Sequence, residues 1–117
     1  MVTYTKVNLS GSTNGKAIKV VATATAGTTI HTAGSGETNW DEVWLYAVNS
    51  DSSDRKLTIE WGEATAPDGN IELTIPAKSG LVLVAPGLLI QNSLVIKAFC
   101  AAANVVIIHG YVNRITV

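Results

Sequence analysis

The chain has 117 residues with eight Lys+Arg against nine Asp+Glu, a formal charge of −1, which excludes the basic footprint of a nucleic-acid binder or of a protein held on an anionic membrane. Charged residues are only 15% and hydrophobic ones 47%, with a mean hydropathy of +0.29, so part of the outside of so apolar a chain is expected to be covered by something else. At 12.3 kDa it makes one domain, large enough to close a core without staples.

Cys100 is the single cysteine, so no intrachain disulfide is available. The opening MVTYTKVNLS lacks the apolar stretch of a signal peptide, and no apolar run reaches the length of a membrane span. The expectation is a compact, soluble, self-associating domain.

Thirteen Val, ten Ile and thirteen Thr make the chain rich in β-branched side chains, which suit a pleated surface better than a helix. Nowhere do apolar residues recur at helical spacing for three turns. Residues 1–16 are polar and carry Gly, Ser and Asn, which suggests a loose terminus, an added edge strand or an arm exchanged with a neighbour. Residues 17–117 are read as the sandwich domain, with strands at 17–25, 28–32, 42–49, 56–62, 70–76, 80–85, 93–100 and 104–115. The fold class is therefore all-β, an antiparallel β-sandwich of about eight strands, with jelly-roll order expected from the strand count.

Within these elements the alternation is informative. Leu57, Ile59 and Trp61 oppose Lys56, Thr58 and Glu60, and Ile71, Leu73 and Ile75 oppose Asn70, Glu72 and Thr74. With Pro67-Asp68-Gly69 between them, the two runs predict a hairpin with one wet face. Other strands are apolar on both sides. Val43, Leu45 and Ala47 alternate with Trp44, Tyr46 and Val48; Leu81 and Leu83 alternate with Val82 and Val84; Val105 and Ile107 alternate with Val106 and Ile108. A sandwich buries one side of each sheet, so the second apolar side calls for another copy of the chain. Trp44, Tyr46, Val48, Val82 and Val84 are the candidate interface residues.

Catalytic and metal chemistry finds little support. Gly11 to Lys16 is too short for a phosphate loop and has no helix to follow it, and Gly34-Ser35-Gly36 is no nucleophile elbow. His31 and His109 belong to no ligand-spaced pair, and His109 reads as a packed, hydrogen-bonded side chain beside Val105, Ile107 and Tyr111. Cys100 reads as a packed thiol. Glu60 and Glu72 are candidates for the paired carboxylates of glycoside hydrolysis, but both fall on the face expected to be wet, where such a pair is ordinarily just surface. No cofactor, metal or catalytic residue is assigned. Trp40, Trp44 and Tyr46, with Asp41 or Glu42 as polar partner, leave a sugar-binding platform as the alternative to a subunit contact.

Two runs, GTTIHTAGSGETNWDEVWLYAVNSDSSDRKLTIEWG (27–62) and SGLVLVAPGLLIQNSLVIKAFCAAANVVIIHGYVNRI (79–115), resemble small virion proteins of tailed bacteriophages. The segments that carry the resemblance are the strands Asp41–Tyr46 and Thr58–Gly62, the Ala85-Pro86-Gly87 turn, and the closing strand Gly110–Ile115. The resemblance implies a β-sandwich on the particle, most often a capsid decoration (cement) protein at the capsid surface. Its implied partners are further copies of itself, a trimer being favoured, and the major capsid protein, with neither nucleic acid nor membrane. A neck, tail, baseplate or fibre component and a carbohydrate-binding module stand as alternatives. Residues 1–16 lie outside the resemblance.

Overall fold

A computed structural model describes residues 1–117. The chain forms nine strands and no helix: β1 (Thr3–Asn8), β2 (Ile18–Lys19), β3 (Thr28–Thr32), β4 (Asn39–Asn49), β5 (Arg55–Trp61), β6 (Asn70–Ile75), β7 (Val82–Ile90), β8 (Val95–Cys100) and β9 (Val106–Thr116). The antiparallel pairs are nested. β5 pairs with β6, β4 with β7, β3 with β8, and β1 and β2 both pair with β9. The chain is thus one long hairpin whose tip is the β5–β6 turn. Wrapping that hairpin brings β9 beside β4 and β8 beside β5, which yields a large sheet ordered β1-β9-β4-β7, with β2 also on β9, and a small sheet ordered β3-β8-β5-β6. This is the jelly-roll order expected of eight principal strands.

The β5–β6 hairpin forms as its alternation predicts, in the register Leu57↔Leu73 and Ile59↔Ile71. Its turn is closed by Asp68 N–H to Thr65 O (2.9 Å), and Trp61 N–H donates to Gly69 O (2.8 Å). Gly69 is required by space and not by a positive φ: a Cβ there would lie 2.6 Å from Glu63 O.

Four expectations need correction. The strand expected at 17–25 shrinks to Ile18–Lys19, because the chain changes sheets there: Val20 N–H donates to Val106 O in the large sheet, whereas Ala22 O accepts from Cys100 N–H in the small one. The Ala85-Pro86-Gly87 segment is no turn. It lies within β7, which runs on to Ile90 past two bulges where Val84 and Gly87 are the extra residues. Pro is tolerated there because β7 is an edge strand. The supposedly wet face of β5 is covered, since Thr58 and Glu60 are both buried. His109 is exposed on the outer side of β9 and makes no side-chain hydrogen bond, whereas Cys100 is packed in the core as expected.

Of the three roles open to residues 1–16, the structure has the edge strand: β1 pairs with β9 from Thr3↔Thr116 to Asn8↔Tyr111. The segment is inseparable from the sandwich, because Leu9 is buried in the core cluster and Gly11 N–H donates to Ile30 O (2.9 Å). The exposed surface of 6013 Å² matches the roughly 6,100 Å² expected of a monomer of this mass. The domain therefore closes on its own chain. Leu9→Ala is expected to cost about 2–4 kcal/mol in urea or guanidinium unfolding, the usual penalty for truncating a buried Leu; a loose arm would leave the midpoint unchanged.

Candidate functional site

Three places in the fold bring polar side chains together. The first is buried between the sheets. On β4 the residues Asp41, Val43, Leu45, Ala47 and Asn49 alternate inward, and all five are buried. Asp41 begins this row. Its Oδ2 accepts from His31 Nε2 (2.7 Å), Gly34 N–H (3.1 Å) and Arg114 Nη2 (2.9 Å), and its Oδ1 accepts from Arg114 Nε (2.7 Å). The backbone N–H of Ser10 donates to His31 Nδ1 (3.0 Å). The ring proton therefore sits on Nε2, where it is donated to Asp41.

Ser10, His31 and Asp41 are the residue types of a hydrolase triad, but their geometry rules that role out. In a triad the serine hydroxyl faces the free imidazole nitrogen. Here the backbone N–H of Ser10 occupies that nitrogen, while its Oγ accepts from Thr32 N–H (2.7 Å), and His31 is buried. The cluster is a tie between sheets: His31 belongs to β3 of the small sheet, Asp41 and Arg114 to the large one. Nothing in the spacing of residues 10, 31, 41 and 114 announces it. Asp41 is consequently no partner for a sugar on the outer face.

The second place is Glu60. Its carboxylate accepts from Thr25 Oγ1 and from Gly27 N–H (2.7 Å), so the loop ahead of β3 lies over it. A depression of about 210 Å³, lined in part by Glu60, Glu63, Ser93 and Lys97, opens beside it. Glu72 lies elsewhere on the hairpin, exposed and paired with Lys56 (3.1 Å). The two carboxylates differ fully in environment and do not work as a pair. No group of three or more His, Cys, Asp or Glu gathers as a metal-binding set.

The third place is the outer face of the large sheet. Register sets its rows: Lys6, Asn113, Glu42 and Leu89 lie side by side, as do Tyr111, Trp44 and Pro86, then His109, Tyr46 and Leu83. The Trp44 and Tyr111 rings stack with centroids 6.2 Å apart and planes within 10°. Trp44 also covers Gly87, where a Cβ would come 3.0 Å from Cζ2, so the glycine leaves the ring its seat. Trp44 Nε1–H and Asn113 Nδ2–H both donate to Glu42 Oε1 (3.0 Å each). These bonds, Asn113's first, hold the Glu42 carboxyl below its ordinary value of 4.5. Lys6 Nζ stands 5.0 Å from the centroid of Tyr111.

The candidate interface residues divide. Trp44, Tyr46 and Val48 lie half-buried on this face, as their alternation predicts. Val82 and Val84 instead lean on the core. The leucines are the ones that face outward: Leu83, opposite Tyr46, and Leu89, opposite Glu42, are 48% and 56% exposed, with Leu81 just before the strand at 62%. Trp40 is half-buried at the end of β4 nearest β1's start, opposite Ile115.

Burial by itself would raise the Asp41 carboxyl. The Arg114 hydrogen bonds, then that of His31, the Arg114 charge and the Gly34 N–H together outweigh it and hold the group below its ordinary 3.8. A carboxylate lowered on folding contributes stability that is complete above its unfolded value and is lost as pH falls through the folded one. Asp41→Asn is expected to flatten the acid limb of a stability-against-pH curve. It should also cost about 3 kcal/mol at neutral pH, the low end for a broken buried pair, because the Arg114 side chain is 32% exposed. Urea melts between acid and neutral pH check both.

No protein-family model, no curated protein and no solved structure matches this chain.

Proposed function

We propose that this chain is a structural virion protein: a capsid decoration domain that associates with copies of itself and with the shell of a tailed bacteriophage. The observation that carries self-association is the apolar strip on the outer side of the large sheet near the β7 edge. Leu81, Leu83 and Leu89 are each about half exposed there and continue into Tyr46, Trp44 and Val48. Contiguous exposed leucines beside amphipathic aromatics suit a protein contact. The free edge of β7 is blunted by Pro86 and two bulges, so copies meet through side chains and not by extending the sheet. The placement on a virion rests on the resemblance of residues 27–62 and 79–115, and a jelly roll is compatible with capsid and lectin roles alike.

A decoration protein needs many modest contacts made together and no turnover, so an oligomer gains on the shell by avidity. Quantitative mass spectrometry of purified particles is expected to find copies approaching those of the major capsid protein. A ratio matching a single ring would move the chain to the neck or tail, and absence from particles would end the virion reading. In sedimentation, the isolated protein is expected to run as an oligomer and the Leu83→Asp variant as a folded monomer. An unchanged oligomer would remove the β7 strip from the interface.

A further inference from the structure

The opposite side of the same face carries a different chemistry. Lys6 on β1, Asn113 on β9 and Glu42 on β4 form one cross-strand row. On one flank lie the Tyr111 and Trp44 rings, and on the other Tyr4, Ile115 and Trp40. A depression of about 360 Å³ opens there, lined by Tyr4, Thr5, Lys6, Glu42, Asn113 and Ile115. Glu42 and Lys6 are adjacent to the same asparagine yet form no ion pair. Glu42 Oε1 is taken by Trp44 and Asn113, and Lys6 stands over the Tyr111 ring. What is left for a ligand is Glu42 Oε2 and Asn113 Oδ1 as acceptors and the Lys6 ammonium as donor.

We infer that this row is a binding site for a neutral pyranose, with two adjacent hydroxyls bridging Glu42, Asn113 and Lys6 and the apolar face of the sugar ring against the flanking aromatics. Charge argues for the neutral ligand. An anion meets the Glu42 carboxylate and a cation meets Lys6, whereas a hydroxyl both donates and accepts and so satisfies each. The site is prebuilt: Trp44 and Asn113 hold Glu42 ionised and oriented before any ligand arrives, so little ordering cost falls on binding. Shallow sites that combine one acidic side chain, one amide and aromatic rings fit a ligand that is polar at its rim and apolar on its face. The inference does not rest on the virion reading, and the β7 leucines take no part in it.

The test is a titration of the full chain, uniformly ¹⁵N-labelled, with millimolar maltotriose, cellotriose, mannotriose and galactotriose, alongside a glycan array holding neutral and acidic oligosaccharides. The expected result is saturable shift changes confined to the row and its flanks, Tyr4, Lys6, Glu42, Tyr111, Asn113 and Ile115 among them, with at least one neutral glycan. Lys6→Met and Glu42→Gln should each weaken it about tenfold or more while both keep the wild-type spectrum elsewhere. Leu83→Asp should bind as the wild type does, which separates this site from self-association. Binding of acidic glycans alone, binding unaffected by both site variants, or no response to any glycan would each overturn it.

Discussion

The inward row of β4 is the constraint on which the rest of the sandwich depends. It opens with Asp41 and closes with Asn49, and only Val43, Leu45 and Ala47 between them are apolar. Asp41 is held by His31 of the small sheet, and Asn49 donates through Nδ2 to Ile75 O (2.9 Å) of the same sheet and to Ser53 O (2.9 Å). β3 and β6 are the two outer strands of that sheet, so the row is tied at opposite corners. A slip of one residue would turn the five inward side chains out, two of them hydrogen-bonded, and bring Trp44, Tyr46 and Glu42 in. Buried polar groups are tolerable only with partners, and these partners exist in one register. Hydrophobic content alone would permit several.

That register also determines what the outside of the large sheet can offer. The outward residues of β4 are Trp40, ahead of the inner row, and Glu42, Trp44, Tyr46 and Val48 between its members, and β9 lays Tyr111 and Asn113 beside them. The face is therefore graded across its strands, from polar with aromatic flanks over β1 and β9 to leucine-rich along β7. One sheet presents two surfaces of different chemistry without a loop insertion or a second domain. The interior tie and the exterior grading are the two sides of one alternation.

Much of this was legible in the residues. The clean alternation of 56–61 and 70–75 specified the hairpin, and the double-sided apolar pattern of 43–48 identified a strand with an outer face to cover. The remainder depended on long-range geometry. Val82 and Val84 looked outward because Leu81 and Leu83 are just as apolar: period two holds over 81–84, but alternation between two apolar sets does not tell which set faces the core. Glu60 looked wet because the loop that covers it, at Thr25 and Gly27, is far away in sequence. The Asp41 cluster draws on residues 10, 31, 34, 41 and 114, a gathering that only the nested pairing creates. The acidic partner of the aromatic face was anticipated as Asp41 or Glu42; the parity of β4 decides for Glu42.

The nesting of strands has a consequence for how the domain is made. β9 lies between β1 and β4 and also carries β2, yet it is the last strand of the domain to be synthesised. The small sheet can assemble once residue 100 is available, since β3, β5, β6 and β8 all precede that point. The large sheet cannot close until residues 106–116 have been made, and until then β1, β2 and β4 lack their central partner. Pairing Thr3 with Thr116 closes the longest loop of any strand pair in the fold, which places the domain among slow, high-contact-order folders. A truncation in β9 would thus remove the centre of a sheet and not merely its edge.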